Sequence, residues 1–243
     1  MTTAFQPGDL VRGFASFFNW PVAKRSIVVE GEHDQRYFAL ANQLYHKQTG
    51  LRLLSSEIAV FPTGIGDEGG AYGMQRHFHP LRAIMDKDIT PEGKKVFHAI
   101  ALFDDDTEGR RGVNALTGQH LNYRKWRDVF LLKRVLPRTT RDVQHLVRLI
   151  DTENDPWKGM DCVIEDLVSF DVVTAFLKDN PGAMLRSPHE NAGRAHCVFK
   201  SHLKAVFIRF VESNALLEDV HDLVEFLKSL RYHLGLSPDG DGE

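Results

Sequence analysis

The sequence contains few cysteines and no long apolar run, and each absence excludes a class of protein. Cys162 and Cys197 are the only cysteines among 243 residues, and they form no C-x-x-C pair. They support neither a disulfide framework nor a zinc site, and they are typical of a reducing cytoplasm. No apolar stretch approaches the roughly 18–20 residues that span a bilayer, and the first residues lack a signal-peptide core. We therefore expect a soluble, cytoplasmic protein with no membrane partner.

The charge of the chain is small but unevenly distributed. The formal net charge is −3, which argues against a generally basic nucleic-acid coat. Residues 110–148 nevertheless contain ten Lys or Arg against two acids, whereas residues 212–243 contain eight acids against two basic residues. A locally basic segment suits an anionic partner held at one place, and a solvated helix face is the alternative interpretation.

Short β-branched runs alternate with helical patterns along the first 140 residues. Strands are predicted at 26–31, 57–64, 94–106 and 126–138, and helices at 33–50 and 74–88. Pro80 is expected to break or begin the second of these helices. The alternation of strands and helices predicts an α/β fold with a mostly parallel sheet flanked by helices.

The rest of the chain predicts a helical C-terminal extension. One helix is predicted at 163–180, a polar loop at 187–197, and two amphipathic helices at 198–214 and 216–235. The predicted organisation is an N-terminal segment at 1–25, a catalytic domain at 26–182, a helical region at 183–236 and a disordered tail at 237–243. The aromatic N-terminal segment and the last two helices offer a surface for a homo-oligomer.

Acidic side chains follow two of the predicted strands. Glu30 ends the first strand, and the sequence FDDD places Asp104, Asp105 and Asp106 at the end of the third. Because functional groups collect at the carboxyl ends of parallel strands, we expect these acids to share one crevice. In an extended stretch Asp104 and Asp106 point the same way and Asp105 points the other, so Asp105 is predicted to be a bystander. Carboxylates are ligands that Mg²⁺ and Mn²⁺ prefer.

The two acidic motifs together resemble the signature of the TOPRIM domain. They are Glu30-Gly31, with Asp34 in E-G-x-x-D, and Asp104-x-Asp106-x-x-Gly109. The resemblance covers roughly residues 26–135 and implies a TOPRIM-like sheet with metal-dependent chemistry on nucleic acid. Topoisomerases and bacterial primases need further domains, and the chain is more similar to the OLD-family and stand-alone TOPRIM nucleases. It lacks their Walker A sequence, so the resemblance implies that any ATPase is a separate chain.

The resemblance also implies roles for individual residues in a two-metal phosphodiester hydrolysis. Asp104 and Asp106 would hold one Mg²⁺ or Mn²⁺ ion, while Glu30 and Asp34 would lie on or near a second ion that Glu165 completes. Glu30 as a general base is the alternative. Lys204 would stabilise the transition state, with Lys200 as a second lysine that contacts the phosphates of DNA or RNA. Arg110 and Arg111 would contact the flanking phosphates.

Two other functions compete with a nuclease. In a haloacid-dehalogenase-type phosphatase the FDDDTEG sequence would need threonine or valine at position 108, which is Glu108. The second is a non-catalytic TOPRIM-like module that binds nucleic acid or a partner protein, and the presence of all the acidic residues counts against it. Metal-dependent stabilisation and cleavage assays would distinguish the remaining possibilities.

Overall fold

The computed structural model of the protein describes residues 6–63, 69–118 and 121–242. Residues 1–5 of the predicted N-terminal segment and residue 243 of the predicted tail lie outside the described residues. The chain divides into two compact units, each assembled from separate segments. The sheet unit comprises Met1–Gln35, Leu54–Phe103 and Glu108–Phe130, and the helical unit comprises Arg36–Leu53, Asp104–Thr107 and Leu131–Glu243.

A four-stranded sheet is built from β1 (Arg25–Val29), β2 (Ile58–Pro62), β3 (His98–Phe103) and β4 (Val129–Leu131), in the order β2-β1-β3-β4. The central strand β1 pairs in parallel with both β2 and β3. Four of its five residues are buried, as expected for a parallel strand that is covered on both faces. The predicted α/β class with a mostly parallel sheet is confirmed.

Eight α-helices lie within the part of the chain that the structure describes. They are α1 (Asp9–Ser16), α2 (Glu32–Thr49), α3 (Gly70–Met85), α4 (Thr107–Leu116), α5 (Val143–Glu153), α6 (Phe170–Asp179), α7 (Ser201–Asn214) and α8 (His221–His233). Three short 3₁₀ helices accompany them at Asp155–Trp157, Ile164–Leu167 and Glu218–Val220. None of the helices in the described ranges is long and apolar enough to cross a lipid bilayer.

In the sheet unit, α3 packs against α1, β1 and β3. Pro80 lies inside α3, so the expectation that it would break or begin that helix is wrong. Phe78 and Leu81 on either side of Pro80 are fully buried, and this packing stabilises the helix although proline removes one backbone donor.

The contact between β3 and α4 depends on a glycine. A Cβ atom added at Gly112 would lie 2.4 Å from Cε1 of Phe103, which is closer than such atoms approach. Phe103 is the last residue of β3 and is fully buried. Gly112 therefore allows α4 to pack against the end of the strand from which the three aspartates follow.

In the helical unit, α6 packs against α7 around an aromatic cluster of Phe176, Phe199 and Phe207, whose rings lie 4.5–6.0 Å apart. The prediction of one helix over 163–180 is wrong. A 3₁₀ helix ends at Leu167, and α6 starts only after Ser169, whose hydroxyl accepts a hydrogen bond from the N–H of Val172. Ser169 is an N-cap, and N-caps begin helices because they satisfy an exposed backbone donor.

The predicted polar loop at 187–197 contains a β-hairpin. Strands β5 (His189–Asn191) and β6 (Arg194–His196) pair antiparallel, and the turn residues Ala192 and Gly193 both have positive φ, at 46° and 72°. Two residues of positive φ are the signature of the tight turn that joins hairpin strands. The prediction of a loop is wrong because the short strands lack the apolar alternation of a half-buried sheet.

The segment that the sequence predicts as a disordered tail makes specific contacts. The guanidinium of Arg231, a fully buried residue, donates hydrogen bonds to the backbone oxygens of Leu53 (2.6 Å) and Ser237 (2.7 Å) and to the carboxylate of Asp241 (2.9 Å). The backbones of Arg52 and Asp241 also exchange two hydrogen bonds of 2.9 Å. The final residues thus supply acceptors for a buried charge.

Candidate functional site

The three aspartates of the FDDD sequence have different surroundings, and their exposure alternates along the chain. Asp105 is buried, whereas Asp104 and Asp106 are partly exposed. The backbone of Asp105 exchanges hydrogen bonds of 2.8 and 3.1 Å with that of Cys162, and its carboxylate pairs with the ammonium of Lys133. The alternation agrees with the predicted D-x-D geometry. That Asp105 is a bystander to a metal ion stays a prediction, and the structure adds that it anchors this segment to the chain around Cys162.

Both cysteines of the helical unit are buried, and burial is the main influence on the pKa of their thiols. Burial raises the pKa of the Cys162 thiol well above its usual value, and the nearby carboxylates of Asp166, Asp104 and Asp105 raise it further. Burial also raises the pKa of Cys197 to about 12, again with Asp166 contributing. Both thiols are therefore protonated near neutral pH in the protein without a bound ion, and neither is a ready thiolate nucleophile.

Glu165 lies in the 3₁₀ helix that starts two residues after Cys162, and it is only 2 % exposed. Its Oε1 atom is 3.1 Å from the Nζ atom of Lys204 on α7. Its Oε2 atom is buried and has no hydrogen-bond partner. A buried carboxylate oxygen without a partner carries a large desolvation cost, and Glu165 is therefore a candidate ligand for a cation.

Asp166, the next residue, is buried with both carboxylate oxygens satisfied. Oδ2 lies 2.7 Å from Nδ1 of His196 and accepts from the N–H of Val163 at 3.1 Å, while Oδ1 accepts from the N–H of Cys197 at 2.9 Å. The guanidinium of Arg134 adds an ion pair at 3.7 Å. Asp166 therefore holds three chain segments together, which is a structural role.

Glu30 and Asp34 belong to the sheet unit. Glu30 directly follows β1, and its backbone oxygen accepts a hydrogen bond of 3.0 Å from the N–H of Gly70. Asp34 lies in the first turn of α2, and its Oδ2 atom accepts from the N–H of Gly31 at 2.9 Å, which satisfies a donor at the helix start. Asp104 and Asp106 belong to the helical unit, so the convergence of Glu30 and Asp34 with these aspartates stays a prediction.

The predicted phosphate-binding cations are all at least partly exposed. Arg110 and Arg111 are exposed on α4, and Arg111 pairs with Glu108 at 2.5 Å. Lys200 precedes α7, and its backbone N–H donates to Ala183 at 2.9 Å. Their binding to phosphate stays a prediction.

The basic segment 110–148 is partly neutralised within the fold. At least five of its ten cations pair with an acid of the described ranges, namely Arg111, Arg127, Lys133, Arg134 and Arg138. The interpretation of this segment as one continuous surface for an anion is thereby weakened, because these five cations have counter-ions inside the protein.

Among the residues that the structure describes, no group of three or more His, Cys, Asp or Glu side chains is arranged to hold a metal ion. Sequence reasoning missed Lys133 and His196, which pair with Asp105 and Asp166. No local sequence pattern could have found either residue, since each contact joins residues 28 or 30 positions apart. None of the protein-family models, curated proteins or solved structures compared with this chain matches it.

Proposed function

We propose that this chain is a Mg²⁺- or Mn²⁺-dependent nuclease of the TOPRIM type that hydrolyses phosphodiester bonds in DNA or RNA. The observation that carries the proposal is the buried Oε2 atom of Glu165, which has no hydrogen-bond partner. The Asp105–Cys162 backbone pairing supports it, because it ties the segment of Asp104 and Asp106 to the segment that leads into Glu165.

The donors of the helical unit are of the chemical type that suits a divalent cation, although in the described ranges they are not arranged as a three-ligand group. Asp104, Asp106 and Glu165 would hold it, since Mg²⁺ and Mn²⁺ prefer carboxylate oxygens and accept water for the remaining positions. The pKa of Cys162 is raised mainly by burial, and the carboxylates of Asp104, Asp105 and Asp166 add to that rise although Arg134 opposes it, which puts Asp104 close enough to the Cys162 segment to act on its charge. When bound, such ions supply a hydroxide nucleophile and stabilise charge on the phosphate. From the resemblance to the TOPRIM motif we further expect a second ion, on or near Glu30 and Asp34.

Lys204 is the residue of this chain that we expect to meet the substrate. Its side chain is 36 % exposed, and it pairs with Glu165. A cation held by Glu165 would compete with Lys204 for the carboxylate and make the ammonium available to a phosphate oxygen. Arg110, Arg111 and Lys200 are proposed to bind the flanking phosphates, in a cytoplasmic enzyme that acts as a homo-oligomer or with a separate ATPase chain.

The test is cleavage by the purified, tag-free chain of supercoiled plasmid, single-stranded DNA and tRNA with Mg²⁺ or Mn²⁺. We expect at least one substrate to be cut, and we expect Asp104→Asn and Glu165→Gln to lower the rate by at least about a hundredfold. The matched control is Glu108→Gln, which removes an exposed acid from the same motif and should keep full activity. Each variant is first compared with the unmodified chain by circular dichroism.

Full activity in Asp104→Asn or Glu165→Gln would overturn the proposal. A non-catalytic binding module is the second candidate, and it is favoured by the Glu165–Lys204 ion pair together with the lack of a three-ligand group in the described ranges. It predicts binding of nucleic acid in a gel-shift assay without cleavage of any of the three substrates.

A further inference from the structure

The hairpin β5–β6 places two histidines opposite each other. His189 and His196 are paired in the antiparallel register of the two strands, and the tight turn at Ala192 and Gly193 fixes that register. Paired residues in such a ladder project from the same face, with Cβ atoms about 4.5–5.5 Å apart. At such a spacing of Cβ atoms, two imidazole rings can turn toward the same ion.

The ring of His196 is held in one orientation by Asp166. The Nδ1 atom of His196 lies 2.7 Å from the Oδ2 atom of Asp166, and both residues are buried. An Nδ1–H that donates to the carboxylate leaves Nε2 as the nitrogen with a lone pair. A carboxylate behind an imidazole is the arrangement that orients histidine ligands in metal sites and raises their basicity.

The hairpin is anchored independently of the two histidines. The indole N–H of Trp157 donates to the backbone oxygen of Asn191 at 3.1 Å, and the side-chain amide of Asn191 donates to the backbone oxygen of Pro156 at 2.7 Å. These bonds keep β5 against the 3₁₀ helix at Asp155–Trp157. His189 itself is exposed, so it can bind a solute without a change in the core.

We propose that His189 and His196 bind one divalent transition-metal ion, of the class of Zn²⁺, Ni²⁺ or Cu²⁺, with water completing its coordination. Imidazole nitrogen suits these ions, whereas the carboxylates of the proposed nuclease site suit Mg²⁺ and Mn²⁺. The two sites therefore differ in ligand chemistry, and the histidine site does not depend on the nuclease proposal. A pair of histidines is also compatible with the lack of any three-ligand group among the described residues.

The experiment is isothermal titration calorimetry of the tag-free full chain with Zn²⁺ and with Ni²⁺ in a non-chelating buffer at pH 7.5. We expect one ion per chain and a loss of affinity of at least about tenfold in His189→Ala. The matched control, His202→Ala, removes an exposed histidine on α7 and should bind as the unmodified chain does. Excess Mg²⁺ should not displace the bound ion, because Mg²⁺ prefers oxygen ligands.

His189→Ala is the decisive variant because an exposed position tolerates truncation without unfolding. His196→Ala and Asp166→Asn are secondary, and they are interpreted only where circular dichroism matches that of the unmodified chain. Equal Zn²⁺ affinity in His189→Ala and the unmodified chain would overturn the proposal, and so would the absence of one-to-one binding. The nuclease assay is run in parallel, and unchanged cleavage in His189→Ala would support the separation of the two sites.

Discussion

Asp128 of the sheet unit and Glu165 of the helical unit are both 2 % exposed, but their carboxylates are satisfied to different degrees. One oxygen of Asp128 accepts from Arg82 at 3.2 Å, and the other accepts from the backbone N–H of Arg124 and from two nitrogens of Arg127 at 2.6–3.0 Å. Glu165 has one ion pair, and its second oxygen has no hydrogen-bond partner.

The difference separates a structural charge from a candidate binding charge. In a buried carboxylate that accepts four hydrogen bonds, those bonds offset the free energy of desolvation. Removal of such a carboxylate leaves its buried donors without an acceptor. A buried carboxylate with an unpaired oxygen recovers only part of that cost, so a bound cation can supply the rest. Asp128 and Glu165 cannot be distinguished by their exposed fractions. They differ in the number of hydrogen bonds and ion pairs that their carboxylates make.

The largest effect that tests this comparison is expected for Asp128→Asn. Its loss leaves the buried guanidinium of Arg82 without a counter-ion, and we expect the free energy of unfolding to fall by about 3–5 kcal/mol. Urea denaturation followed by circular dichroism would measure the change. The control is Glu57→Gln, which breaks the exposed Lys24–Glu57 pair and should cost less than about 1 kcal/mol. Equal losses in the two variants would contradict the structural role of Asp128.

An intermediate effect is expected from pH acting on His98, which neighbours the same network. Burial, together with the charge of Arg82, lowers the pKa of His98 to about 4. The unfolded chain takes up a proton near pH 6.5, whereas the folded chain stays neutral until about pH 4, so stability falls as pH falls between these values. We expect this group to contribute a loss of about 2 kcal/mol, since it is partly solvated.

The measurement is the urea midpoint at a series of pH values from 7 to 4. The variant His98→Asn has no titrating ring, so its stability should decline less steeply over this range than that of the unmodified chain. Parallel pH profiles for the two proteins would show that His98 does not titrate as its surroundings predict.

The smallest change in stability is expected for Glu165→Gln without divalent ions, at less than about 1 kcal/mol. The variant loses an ion pair with a one-third exposed lysine but no longer buries a charge with an unpaired oxygen. Mn²⁺ should raise the melting temperature of the unmodified chain by mass action and should leave that of Glu165→Gln unchanged. Differential scanning fluorimetry measures both, with Glu108→Gln as the control that retains the Mn²⁺ response.

The elements that the sequence predicted well are those with strong apolar patterns. Strands β2 and β3 lie within their predicted ranges and β1 starts one residue before its own, because most of their residues are apolar and buried. The segment 126–138, which the sequence predicts as a strand or as an amphipathic segment stopped by Pro137, contains only the short strand β4, and Trp126 at its start has a φ of 65° that an extended strand does not adopt. The hairpin at 189–196 was missed because its strands are polar, although the Ala192-Gly193 pair marks the turn.

The candidate site was predictable only as far as local motifs reach. The D-x-D spacing correctly separated Asp104 and Asp106 from Asp105, because side chains alternate in an extended segment. Sequence could not indicate that Lys133 anchors Asp105 or that His196 satisfies Asp166, since those pairs form only when distant segments fold together. The distinction between Glu165 and Asp166 likewise required coordinates, because the two acids are adjacent in the chain.

The contacts of Arg231 have a practical consequence for work with this protein. Its guanidinium is buried and donates hydrogen bonds to Leu53, Ser237 and Asp241. A purification handle fused after Glu243 would begin three positions from the acceptor Asp241 and should be attached at the other terminus. Removal of Asp241 by a carboxypeptidase would leave the buried guanidinium of Arg231 without its counter-ion. We therefore expect the trimmed chain to have a lower melting temperature than the intact chain.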